Sequence, residues 1–163
     1  MADTLFNPTE LTAILAELGE NVRRGYVNKL VKNGHPTQEN TLARTVRSIV
    51  EVKGTRYEVS LELQDYWKYV EEGTKPHWPP PSAILHWIKI KPIIPRPDSR
   101  GRIPTPKQLA FLISRKIARF GTKGTHDLKE TTDTILATYE ERIAEALGRD
   151  CFEYIAKIQG AGF

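Results

Sequence analysis

At 163 residues, with 39% hydrophobic and 27% charged residues, the chain suits one ordinary folded domain rather than a disordered or fibrous protein. It has no apolar run of about 18 residues and no basic-then-apolar start, so neither a membrane span nor a secretory leader is expected. A net charge of +4 is compatible with nucleic-acid contact without requiring it, and the lone Cys151 reads as a buried structural thiol in a reducing cytoplasm.

The first predicted element is a helix over 8–33. Asn7 can cap it, Pro8 suits the first helical position, and Glu10 can reach back to the start. Leu11, Ile14, Leu15, Leu18 and Val22 recur at helical spacing, continuing through Tyr26 and Leu30, and Asn33-Gly34 with Pro36 ends the run. The second half is basic (Arg23, Arg24, Lys29, Lys32). The stripe predicts a core face, and its length also suits a subunit contact.

After a polar linker, residues 44–64 read as a β-hairpin. Val46, Val50 and Val52 alternate with Arg47, Glu51 and Lys53, and Tyr57, Val59, Leu61 and Leu63 alternate with Arg56, Glu58, Ser60 and Glu62. Lys53-Gly54-Thr55 supplies the turn. A lone hairpin is not stable in water, so its apolar face must pack on helices or join a larger or neighbouring sheet.

Residues 65–91 are unlike the rest of the chain. They hold all three tryptophans, two of the six tyrosines and two of the four histidines. Asp65 can cap a short aromatic helix bearing Tyr66, Trp67, Tyr69 and Val70, which Gly73 ends. Pro76 and Pro79-Pro80-Pro81 stiffen the path, and a second short helix carries Ile84, Leu85 and Ile88 as far as Lys91. Such a segment anchors a core or offers a rigid, adhesive surface to a partner.

Residues 92–104 have no periodicity and read as an exposed loop with Arg96, Arg100 and Arg102 as contacts to a neighbour or to DNA phosphates. Residues 105–159 read as C-terminal helices. Thr105-Pro106-Lys107-Gln108 is a capping box, followed by an apolar line through Leu109, Leu112, Ile113 and Phe120 up to Gly121. From Asp127 a long helical pattern through Leu128, Ile135, Leu136, Tyr139, Ile143, Leu147, Tyr154, Ile155 and Ile158 carries most of the acidic charge, with Gly148 as a weak point. The fold class expected is α+β. A β-hairpin or small sheet is packed by a long N-terminal helix and C-terminal helices in a single domain, 1–163.

No catalytic pattern is legible. His35, His77, His86 and His126 never adopt ligand spacing, so no metal or other cofactor is expected. His86 reads as a partly buried histidine and His77 as a loop hydrogen-bonding group. Gly73-Thr74-Lys75 and Gly121-Thr122-Lys123-Gly124 lack the phosphate-loop pattern and read as helix ends. Glu71 and Glu72 would act as a catalytic pair only if buried together, and a hydrolase would need one of them in a pocket with His77. An enzyme is not expected.

The run Tyr66, Tyr69-Val70-Glu71 and Gly73-Thr74, placed after a long helix and a hairpin, resembles the Y-(x)-x-Y-V-E-x-G-T segment of tail-completion proteins. These are the head–tail joining, or neck, proteins of tailed bacteriophages. The resemblance implies a structural virion protein made in the host bacterial cytoplasm and housed in the virion neck. It would form a ring of six or twelve copies between portal, adaptor or stopper proteins and the tail tube or terminator, with weak contact to phage DNA and none to a membrane. Tyr66, Trp67, Tyr69, Glu72, Gly73, Thr74, Lys75, His77 and Trp78 would then form the subunit or partner interface. Family members usually end soon after the Gly-Thr segment, whereas this chain continues with a Pro/Arg loop and two substantial helices. Adaptor, stopper, tail completion and terminator therefore all stay open as positions. The alternative from composition is a basic nucleic-acid-binding module.

Overall fold

The computed structural model of the protein describes residues 8–37, 41–54, 56–91, 93–97, 99 and 101–160. Its axle is helix α1, Thr9–Lys32, whose residues Leu11, Leu18, Val22, Tyr26 and Leu30 are buried along one side as their spacing predicts. Helix α6, Asp127–Gly160, runs antiparallel to α1, with Lys29 paired to Glu130 at one end and Glu10 to Arg149 at the other.

The first N–H groups of a helix have no partner within it and require acceptors. Both long helices receive one from far away in the chain. The buried Asp150 carboxylate accepts from the backbone N–H of Glu10 (3.1 Å) and Leu11 (2.8 Å) at the start of α1. The expected cap is different: Pro8 occupies the N-cap position without a side-chain bond, Glu10 pairs with Arg149 instead of reaching back, and Asn7 lies outside the described residues. Likewise the buried Glu71 carboxylate accepts from Leu128 N–H and Lys129 N–H, both at 3.0 Å, at the start of α6.

Strands β1 (Arg47–Lys53) and β2 (Arg56–Glu62) form the antiparallel hairpin, with Val50 opposite Val59 and Val52 opposite Tyr57. The hairpin lies on α1 at Gly19. A Cβ there would stand 2.2 Å from Ser48 Oγ and 2.9 Å from Val59 Cγ1, so a larger residue would have to displace both side chains. Residues 44–45, expected in the hairpin, instead end a helical turn α2, Leu42–Thr45, which buries Leu42 and Ala43, with Val46 buried just after it. Those three residues join Tyr26 and Leu30 in one core cluster, supported by Leu63, Trp67 and Val70. A second cluster, Leu18, Val22 and Tyr139, fills the α1–α6 seam.

Helix α3, Trp67–Glu71, follows with no side-chain cap from Asp65, whose role falls to the Gln64 carbonyl accepting from Trp67 N–H. Strand β3 is Gly73–Thr74, and helix α4, Pro81–Ile90, begins at Pro81. The Thr105–Gln108 capping box opens helix α5, Pro106–Phe120, and a two-residue strand β4, Thr122–Lys123, precedes α6.

Helices α4 and α5 pack chiefly on each other and leave the α1–α6–hairpin platform as an arm. On α5 the buried positions are Ala110 and Ser114, while Leu112 and Phe120 of the apolar line are exposed. Small residues four apart let two helices approach closely, which turns the larger ones outward. Gly148 does not interrupt α6, because Ala146 and Asp150 on either side of it are buried. The fold is α+β, with two two-stranded antiparallel sheets.

Candidate functional site

The aromatic segment divides in two. Its first half is structural: Trp67 and Val70 pack on the core, and the Tyr66 hydroxyl accepts from Leu42 N–H at 2.6 Å. Its second half builds a joint between platform and arm. Gly73 and Gly121 end α3 and α5 with φ of 78° and 68°, in the left-handed region that favours glycine. Beyond that expectation, the two Gly-Thr-Lys segments pair with each other as β3 and β4, Gly73 opposite Lys123 and Thr74 opposite Thr122.

The pairing is tight. A Cβ on Gly73 would lie 2.1 Å from the Thr122 carbonyl oxygen, and one on Gly121 would lie 1.9 Å from that of Thr74. The Thr74 and Thr122 hydroxyls share a 2.9 Å hydrogen bond, and Thr122 N–H donates to Thr74 Oγ1 at 3.2 Å. His126 N–H donates to the Glu71 carbonyl and Thr125 N–H to that of Val70, so the strand leads directly into α6.

An open groove runs beside this joint, lined by Lys68, Tyr69, Glu72, Thr74, Lys75 and His77. The fold thus gathers Tyr69, Glu72, Gly73, Thr74, Lys75 and His77 into one place, with Tyr69 64% exposed. Tyr66 and Trp67 are not part of it. Trp78 stands on the arm, edge-on to Phe111 with ring centroids 5.8 Å apart. His77 Nδ1 donates to the Lys75 carbonyl at 2.9 Å, a bond that shapes the loop.

Arg96 and Arg102 line a second open groove on the arm, together with Ile103, Lys107, Phe111 and Leu112. Arg100 lies outside the described residues. The feature that motif reading missed is the charge distribution: residues 73–126 carry eleven Lys and Arg against one Asp, and the rest of the chain carries thirteen against nineteen acids. A count by segment, rather than over the whole chain, reveals it.

The chemistry of the joint is positional. Glu71 is buried and committed to the start of α6, whereas Glu72 is exposed, so the two carboxylates are not buried together. Glu72 and His77 do share the first groove, which is open to solvent. His86 is exposed, contrary to expectation, because α4 packs chiefly on α5 and buries none of its residues fully. Cys151, expected buried, is half-buried. Among the described residues no group of three or more His, Cys, Asp and Glu is placed to hold a metal ion. Comparison with protein-family models, with curated proteins and with solved structures gives no match to this chain.

Proposed function

We propose that the protein is a structural component of the neck of a tailed phage, a tail-completion or head–tail connector subunit that joins the portal–adaptor complex to the tail as a homo-oligomeric ring. One observation supports this reading above the others. The Tyr-Val-Glu-x-Gly-Thr segment that carries the resemblance serves as a mechanical joint: Val70 packs on the core, Glu71 caps α6, and Gly73-Thr74 clasps the arm. The same joint leaves Tyr69, Glu72 and Lys75 facing outward, where a neighbouring subunit or a neck partner can reach them. A chain whose recognisable motif sets the angle of a projecting arm suits assembly better than turnover of a substrate.

The test is native mass of the purified protein, alone and mixed with isolated phage heads or tails. Recruitment to one particle in six or twelve copies is the expected result and says which side of the neck the protein joins. A monomer that ignores both particles but binds duplex DNA in a salt-sensitive way overturns the reading. That outcome would favour the second reading, a basic nucleic-acid-binding module, for which the eleven cations of residues 73–126 speak.

A further inference from the structure

Two faces of the molecule carry apolar side chains that stand exposed among the described residues. On the arm, Phe111 and Leu112 are about half exposed and Phe120 is 75% exposed, set among Lys107, Arg115, Lys116 and Arg119. On α6, the face turned away from α1 repeats apolar residues at three- and four-residue steps: Ala144, Leu147, Cys151, Ile155 and Ile158. Leu147 is 41%, Ile155 51% and Ile158 54% exposed. Asp150 marks the level of α1's first turn, and α6 continues past it to Gly160, roughly 15 Å further along the axis. Glu140 stands on the line of this stripe, one turn before Ala144, with Glu141 and Glu145 further round the outer side of the helix; all three are exposed and none is used in the ion pairs Lys29–Glu130, Arg142–Glu17 and Arg149–Glu10 that tie α6 to α1.

Charge decides how such faces combine. Arm against arm sets cations beside cations, and α6 against α6 sets carboxylates beside carboxylates; like charges across an interface oppose association. Only arm against α6 matches apolar to apolar and opposite charge to opposite charge. We propose that the α4–α5 arm of one molecule docks on the outward face of α6 of a second copy. Phe111 and Leu112 lie on the Leu147–Ile158 stripe, and Arg115, Lys116 and Arg119 face Glu140, Glu141 and Glu145. The contact is heterologous, so repetition closes a ring or extends a filament. This names the joint between subunits of the proposed neck ring, and rests on that reading for the closed ring alone. Nucleic acid is the poorer occupant. Surfaces that hold phosphates are more polar than protein interfaces, whereas here bulky apolar side chains lie between the cations.

The test uses two charge-reversed proteins, R115E/K116E/R119E and E140K/E141K/E145K, each first shown to be folded by circular dichroism. Sedimentation at low salt should show the unaltered protein self-associating and each variant alone associating at least ~100-fold more weakly. An equimolar mixture of the two variants should regain association, because each arm then meets an α6 of opposite charge. The proposal is overturned if the arm variant associates like the unaltered protein, or if the mixture stays monomeric. It is equally overturned if the unaltered protein is monomeric at low salt, or if the arm variant loses only binding to duplex DNA. Recruitment to phage particles separates the two readings. An arm variant recruited in full copy number sinks this contact and leaves the neck reading intact. An unaltered protein that joins no particle sinks the neck reading, while the mixing result still judges the contact.

Discussion

The platform and the arm are built from the same helical material and held together in different ways. In the platform, α1 packs against α6, the hairpin and α2, its Leu11–Leu30 stripe is buried, and both long helices start on a carboxylate supplied from a distant part of the chain. In the arm, α4 and α5 have chiefly each other, no α4 residue is fully buried, and a pair of two-residue strands makes the tie to the platform. The difference teaches where specificity resides. Buried packing is concentrated in one part, and the other is left with apolar and cationic side chains exposed.

The strongest way to break the platform is Glu71→Ala. It leaves two N–H groups of α6 without their buried acceptor and should lower stability by about 2–3 kcal/mol, a fall in Tm of roughly 5–10 °C. Glu71→Gln keeps an acceptor and should lose about half as much; equal losses would mean that the carboxylate is not acting as a cap. Breaking the arm's tie should look different. Gly121 has φ 68° and ψ −160°, a region closed to side chains, so Gly121→Ala should cost about 2 kcal/mol locally. Amide exchange at Thr122 and Lys123 should accelerate while the platform's denaturation midpoint stays within experimental error. A single cooperative shift of the whole molecule would refute the division into two parts.

Much of the fold was legible in the sequence, since α1's stripe and the hairpin's alternation in the platform, and the Thr105 capping box in the arm, are local patterns whose period or spacing names the element. Those that failed depend on contacts far apart in the chain. Asp150 and Glu71 cap helices whose starts lie 139 and 57 residues away, beyond the reach of any spacing rule. Leu112, Phe120, Ile155 and Ile158 keep a helical period and yet stand exposed, because periodicity shows that a face exists without saying what meets it. Gly73 and Gly121 end helices as their sequence context predicts, but the pairing of the segments they open joins residues 48 apart. At the candidate site the sequence supplied the residues of one groove and missed the charge segregation, which appears only when charge is counted by segment.

A smaller effect tests how well the platform core is satisfied. Tyr26 is fully buried, and its hydroxyl has no hydrogen-bond partner among the described residues. Burial first, and then the nearby Glu71 and Asp127 charges, push its ionisation above the ordinary tyrosine value. Removing a buried, unpaired hydroxyl costs little, so Tyr26→Phe should match the unaltered protein within ~0.5 kcal/mol or exceed it by up to ~1 kcal/mol in urea unfolding. A loss above ~1.5 kcal/mol would show that the hydroxyl is bonded.

The smallest expected effect sits on the platform's surface seam. Arg142 donates to both Glu17 carboxylate oxygens, at 3.0 and 2.7 Å, and the Tyr139 hydroxyl donates to one of them at 2.6 Å. The Arg142 bonds, then that of Tyr139, lower the Glu17 carboxyl from 4.5 to about 2. A carboxyl that binds its proton less tightly when folded adds stability above its unfolded value, and that stability drains away as pH falls from about 4.5 towards 2. Its side chain is 47% exposed, so salt should weaken the contribution. Urea midpoints of the unaltered protein and Glu17→Gln, compared between pH 6 and pH 2, should therefore converge as the pH falls, and should do so less in high salt. A gap that stays constant across that range would assign the Glu17 contact to neutral hydrogen bonding rather than to charge.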